Sequence, residues 1–238
     1  MKKVTIKGFP LVKFQSEERI KSLQRGLVYM KTLRYHRERE EKFNDTVAGD
    51  VGEARWHIND AMITVTPVLG GEAAVEKLDD VWFNTIHSDD YVFCLFGVNP
   101  YKHDGIFEYT QEQKDNILDF GDTALIITDY YELCRRVMDA AEQNGFFIKG
   151  NFVQYYDETV DDAGRMISLM PDMRNIAFQK RKQYAYQQEY RFLLTSKNDV
   201  KVEHIELNIG NIEDISVVFK TVDMLKSRLE PAGDCAKK

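Results

Sequence analysis

The chain has 238 residues, is 43% hydrophobic and 12% aromatic, and carries a formal net charge of −7 with a pI near 5.4. That is enough apolar material for one sizeable core, too aromatic for a disordered chain, and the wrong charge for a molecule that presents its whole surface to nucleic acid. Three cysteines (Cys94, Cys134, Cys235) include no Cys-x-x-Cys pair and suggest no disulfide framework. The start, Met1-Lys-Lys-Val-Thr-Ile-Lys7, lacks the apolar stretch of a secretion signal, and the longest apolar run, 91–98, is too short to span a membrane. A soluble, cytoplasmic protein with no membrane partner is expected.

Residues 11–15 read as a short strand. Ser16, with Glu17 and Glu18 behind it, opens a helix in which Ile20 and Leu23 share a face and Gly26 closes the last turn. Residues 27–30 form a second strand. The charge-dense 31–42 predicts a helix whose outer face is solvated, or else an electropositive rim for a phosphate-bearing ligand. The turn-forming 43–53 is a surface loop or a ligand loop. Alternation marks 61–68 as a strand, stopped by Pro67 and Gly70-Gly71, with a helical turn expected over 72–78. The unbroken apolar runs 91–98 and 123–128 are buried strands, with a short polar helix between them at 110–119. Asp129 caps a helix over 130–144 with Leu133, Val137, Ala140 and Ala141 inward and Gly145 at its end. Residues 146–156 give one or two strands broken near Gly150-Asn151, and 161–183 read as largely helical, reset by Pro171.

The stretch 187–195 organises the rest. Tyr190, Phe192 and Leu194 point one way, and Glu189 and Arg191 the other, with Gln187 on the same polar side. This is a half-buried strand. Its polar face is a cross-strand ion pair bracing the sheet, or a carboxylate on a rigid cleft floor that Arg191 keeps ionised. Residues 200–207 alternate as its hairpin partner, 215–219 form a last strand, and the tail from 226 is frayed. The class is α+β, a mixed and mostly antiparallel sheet with flanking helices. It forms one domain over 1–225 with a disordered tail over 226–238. Phe192, Leu194, Cys94, Phe96, Ile126 and Phe152 are the expected core.

Common chemical signatures are missing: there is no Walker loop, Gly-x-Gly-x-x-Gly turn, His-Glu-x-x-His or Gly-x-Ser-x-Gly. The five histidines are scattered singly and no metal site is expected; His57 with Asp60 is the nearest to a pair. Asp157-Glu158 and Asp161-Asp162 are loop acids, or the metal ligands of a nuclease.

Three segments carry a resemblance. Leu11-Val-Lys-Phe-Gln-Ser16, Leu23-Gln-Arg-Gly-Leu-Val-Tyr29 and Phe43-Asn-Asp45 look like the opening of a widespread bacterial family of unknown function. That family begins Leu-Tyr-Lys-Tyr/Phe-x-Ser, continues to Phe-Asn-Asp-Pro, and ends on a Glu-x-Glu-Tyr-Arg strand. Here the ending is Gln187-Gln-Glu189-Tyr-Arg191, and Tyr91-Val-Phe-Cys94 resembles the family's middle strand. Thr46 replaces the proline, Gln187 replaces the first glutamate, and Ile117-Leu-Asp-Phe120 stands where the family has Trp-x-His-Tyr.

The same skeleton is similar to ADP-ribosyltransferase-type domains. That resemblance implies NAD as substrate. Lys13 (in place of the usual histidine or arginine) and Ser16 would lie on the ribose side, Tyr29 against the nicotinamide and Glu189 on the ribose 2′-hydroxyl. Arg191 would bind beside it, and Gln187 would orient the acceptor. It implies an NAD-dependent ADP-ribosyltransferase or NAD glycohydrolase, such as a toxin or phage-defence effector, acting on a protein or nucleic-acid acceptor. The alternative is a non-catalytic ligand-binding or sensor module on the same fold, with a small nucleotide ligand. Either way, strand 11–14 should lie beside 189–194, with Lys13 and Glu189 opening into one cleft.

Overall fold

The computed structural model describes residues 5–66, 71, 74–100, 106–198 and 202–229. The chain first lays down β1 (Leu11–Gln15), α1 (Glu17–Gln24) and β2 (Leu27–Thr32), then α2 (Leu33–Phe43). Gly26, at φ 98°, makes the turn from α1 into β2, and a Cβ there would fall 2.2 Å from the Gly210 carbonyl oxygen. Thr32 caps α2 by accepting from the Tyr35 N–H. A long two-stranded arm follows, β3 (Arg55–Val65) and β4 (Ala74–Asn84). Next come β5 (Tyr91–Gly97), β6 (Phe107–Glu108), α3 (Gln111–Ile117), β7 (Thr123–Ile127), α4 (Tyr130–Gln143), β8 (Phe146–Phe152), β9 (Gln154–Tyr156) and α5 (Ala163–Leu169). The chain closes with β10 (Gln179–Arg181), β11 (Glu189–Ser196), β12 (His204–Asn208), β13 (Ser216–Lys220), α6 (Thr221–Met224) and β14 (Arg228–Leu229).

Eight of these strands form one sheet, antiparallel at each of its pairings. β5 is its pivot. On one edge β5 pairs with β11 along its length, from Glu189↔Phe96 to Leu194↔Tyr91, and β8 lies outside β11. Two strands share the other edge. β2 takes its start, with Lys31↔Val92, and β1 takes its end, with Val12↔Phe96. β1 leads on to β7 and β13, and β2 leads on to β12. The sheet therefore forks, and among the described residues no strand pairs with β5 on that edge at residues 93–95.

The pleat sorts the side chains onto two faces. Phe93, Leu95, Tyr190, Phe192 and Leu194 pack with Ile20 and Leu23 of α1 and Leu133 and Val137 of α4. On the opposite face, Phe14, Phe96 and Ile126 meet Ile117, Met224 and Leu229 at one end. At the other end, Val92 and Leu193 meet Leu33, Ala177 and Phe178. Phe192, Leu194, Phe96 and Ile126 are core as expected, whereas Cys94 and Phe152 are half-buried.

The α+β class and the mostly antiparallel sheet stand, with several corrections. Residues 74–84 are a strand, not a helical turn, because β4 pairs in register with β3 from Ala74 to Asn84; Pro67, Gly70 and residues 72–73 lie outside the described residues. The helical stretch expected over 161–183 runs as α5 to Leu169 and, past Pro171, as a 3₁₀ helix over Met173–Phe178, and 179–181 is not helical. Beyond Pro171, Asp172 turns the chain by accepting from the Arg174 N–H, and 179–181 pairs with β9 in parallel. The break in 146–156 falls at Val153. Gln188, left-handed at φ 40°, starts β11 at Glu189 and leaves Gln187 in the preceding turn. β11 is buried on both faces, not half-buried. The expected hairpin partner pairs with β2 instead, since both edges of β11 are occupied by β5 and β8. Residues 228–229 pair with β6 and bury Leu229, so the fold extends past 225; residues 230–238 lie outside the described residues.

Candidate functional site

The fork opens into a cleft of about 620 Å³. Its floor is the middle of β5, and α1, α2 and the loop after α2 form its walls. Lys13, Tyr29, Gln187, Glu189 and Arg191 all line it, so five of the six candidate site residues meet there. Ser16 does not line it. Ser16 holds the N-cap position of α1 without a side-chain capping bond, and its N–H donates to Gln15 Oε1 at 3.2 Å.

Lys13 and Glu189 arrive by a different route from the one expected. β1 and β11 are not neighbours but flank β5 on opposite edges. Val12 and Glu189 both pair with Phe96 and so share a face, which places Lys13 on the other face. The fork lets both reach one cleft, because β1 and β2 leave a gap beside the middle of β5. Lys13 Nζ reaches across it to donate to the Cys94 carbonyl at 2.7 Å and lies 5.0 Å from the Phe93 ring centroid. Burial lowers the Lys13 ammonium from its ordinary value, with the nearby Cys94 and Glu189 opposing.

Glu189 sits in a buried charge cluster. Its Oε1 accepts from Lys180 Nζ at 2.6 Å and its Oε2 from Arg191 Nε at 2.7 Å. Burial alone would push this carboxyl up, but the Arg191 guanidinium and the Lys180 ammonium outweigh it and hold the group well below the usual carboxylate range. Arg191 spans to Glu53 with two further bonds, 2.7 and 2.9 Å, and donates to the Ala177 carbonyl at 2.5 Å. Lys180 also bonds Gln187 Oε1 at 2.5 Å, and Gln187 Nε2 ties the loop down at the Val47 carbonyl, 3.1 Å. The side chains of Arg191 and Glu53 are each 2% exposed. Two cations and two carboxylates balance, so the cluster is a rigid, neutral unit.

The rest of the lining is less evenly charged. Arg19 reaches the cleft from α1 with no acid partner among the described residues, and Lys13 bonds a carbonyl where a carboxylate would have neutralised it. Tyr29, 40% exposed, stacks on His204 at 5.1 Å near the mouth. Cys94 lines the floor, but burial, reinforced by Glu189, pushes its thiol up to about 12, which leaves it a poor nucleophile.

Sequence reasoning missed Lys180, Glu53 and His36. Lys180 lay in a stretch that reads as helix, Glu53 closed a loop, and His36 was one of five lone histidines. Only the loop reading of 43–53, which covers Glu53, and the rim reading of 31–42, which covers His36, pointed toward any of them. The loop acids proposed for a nuclease are used locally. Asp157 accepts from Thr159, Asp161 from the Asn59 and Asp60 amides, and Asp162 caps α5. Among the described residues no three His, Cys, Asp or Glu side chains converge to hold a metal, and no helix is long and apolar enough to cross a membrane. Comparison with protein-family models, curated proteins and solved structures gives no match to the chain.

Proposed function

We propose that the cleft takes a nucleotide-sized ligand with an anionic backbone. On this reading the chain is an NAD-consuming enzyme, an ADP-ribosyltransferase or NAD glycohydrolase on an ADP-ribosyltransferase-like fold. The observation that carries it is the meeting of an ionised Glu189 with Lys13, Tyr29 and Gln187 in one cleft of nucleotide size. The charges support it, since once the buried cluster is balanced two cations, Lys13 and Arg19, stand against one further lining carboxylate, Glu206, and two cations suit a diphosphate. Breaking the nicotinamide–ribose bond develops oxocarbenium character at the ribose. A fixed carboxylate on the neighbouring hydroxyl stabilises that charge as it forms. The Tyr29 ring offers a stacking face for nicotinamide.

One observation favours the second reading, a sensor or binding module without chemistry. Both oxygens of Glu189 are already bonded, to Lys180 and to Arg191. Each oxygen keeps one further lone-pair direction for a ribose hydroxyl, but part of its charge is already neutralised.

The test is free nicotinamide released from NAD, run beside NAD binding by calorimetry, on wild type and Lys13→Met. Lys13→Met orphans no carboxylate, so its melting temperature should stay close to wild type while binding weakens at least tenfold. Binding without nicotinamide release, with water or any offered acceptor, selects the sensor. Absence of both in wild type removes NAD from the proposal.

A further inference from the structure

We infer that His36 takes the proton from an attacking hydroxyl in this cleft, so that the acceptor is water or an alcohol. The inference rests on the NAD-consuming reading for its substrate. Its geometry stands on its own.

His36 lies on α2 and lines the cleft beside Val47 and Ala48. Its Nδ1 is 3.0 Å from the Ala48 carbonyl oxygen. A carbonyl can only accept, so Nδ1 carries the hydrogen, and a neutral ring then keeps its lone pair on Nε2. Among the described residues Nε2 has no hydrogen-bond partner, and it is not a sealed atom. It is therefore an unbonded acceptor with solvent access, on a ring that lines the cleft near Glu189, Lys180 and Arg191. Of the other basic groups lining the cleft, Glu189 is held by two cations, Glu53 by Arg191, and the Cys94 thiol stays protonated; Glu206, exposed on β12, is the one further carboxylate of the lining.

The charged neighbours keep the ring in this form. Burial, assisted by Arg191 of β11 and Lys180 of β10, lowers the imidazole to about 4; the Ala48 bond and Glu189 oppose them. Arg39 of α2 and Lys31 of β2 line the same cleft but are paired with Asp45 and Glu203, and Glu206 of β12 lines it as well. The ring is thus unprotonated across the neutral range.

In the step, the hydroxyl oxygen bonds to C1′ of the nicotinamide-bearing ribose. The C1′–N bond breaks and its electron pair leaves with nicotinamide. The hydroxyl proton passes to Nε2, and the imidazolium so formed returns it to water. A thiolate or carboxylate acceptor would need no such base, so His36 points to an acceptor that must lose a proton, here water or an alcohol.

His36→Asn keeps an N–H for Ala48 and removes the base. Nicotinamide release from NAD should fall about 100-fold or more, with NAD affinity and melting temperature near wild type. Should the variant melt lower, His36→Ala with added imidazole decides, and rate recovery is expected. Histidine-labelled protein should show a neutral Nδ1–H ring for His36 in two-bond ¹H–¹⁵N spectra at pH 6. Release that survives His36→Asn, failure of imidazole to restore His36→Ala, or a ring protonated on Nε2 at pH 6 overturns the role of His36 alone. A wild type that neither binds nor cleaves NAD overturns the substrate, and the step with it.

Discussion

Arg191 and Arg136 each hold two carboxylates, yet the two guanidiniums play different parts. Arg136, on α4, bonds Glu132 and Asp214 at the surface, where Asp214 is 59% exposed. Water can replace either acid at little cost. Arg191 bonds Glu189 and Glu53 in the lining of the cleft, where little of any of the three side chains is exposed. Its own side chain is among the largest fully buried ones in the molecule. The same donor geometry is decoration in one place and an obligation in the other. The buried pair fixes where a cleft carboxylate stands, and the surface pair fixes little.

The largest effect should separate the two. Arg191→Met leaves Glu189 and Glu53 facing Lys180 alone and should cost about 3–5 kcal/mol. At about 2–4 °C per kcal/mol for a chain of this size, thermal melting reads that directly. Phe192→Ala, one residue along the strand and on the apolar face, should cost a similar 3–5 kcal/mol through its cavity, so chemical denaturation of the two variants tests whether the charged face matters as much as the oily one. The burial of Glu189 has a corollary: Glu189→Gln should melt several degrees lower even if the residue is catalytic, so melting temperature cannot sort the two roles and nicotinamide release must.

Acid should act next. Glu189 is held below its ordinary value in the fold, so the stability it lends is complete above about pH 4.3 and is lost as pH falls through the folded value. His36 is also depressed, to about 4 from an unfolded value near 6.5, so its share starts to go earlier, between about pH 6.5 and 4. Melting temperature should therefore decline below pH 6.5, and His36→Asn should remove the upper part of that slope. An unchanged slope in the variant would mean the ring is not held neutral.

The smallest effect is the control. Arg136→Met should change stability by about 0–1 kcal/mol, less at 1 M salt than at 0.1 M. A loss matching that of Arg191→Met would erase the distinction between the two sites.

The strands that hold the site were legible where period two is strong. β11 announces itself by alternation, which alone puts Glu189 and Arg191 on one face, while β5 and β7 show as unbroken apolar runs. Asp129 and the Leu133–Val137 stripe fixed α4 equally well, because caps and stripes are local. What stayed hidden depends on distant partners. Lys180 sits in a stretch with helical spacing that becomes a strand only because β9 lies alongside. The fork depends on two strands sharing one edge of β5, and no window of sequence contains that. Lys13 could be named, but not the face from which it reaches the cleft.

The fork has a consequence for amide exchange. β5 is enclosed by strands and should be the slowest-exchanging segment of the sheet. Within it, alternate residues turn their N–H and C=O groups to opposite edges. The Cys94 carbonyl faces Lys13 across the gap, so its own amide faces the gap too. One fast hydrogen should therefore sit in the middle of an otherwise slow strand, and its slowing on addition of a ligand would report occupancy of the cleft before any chemistry is known.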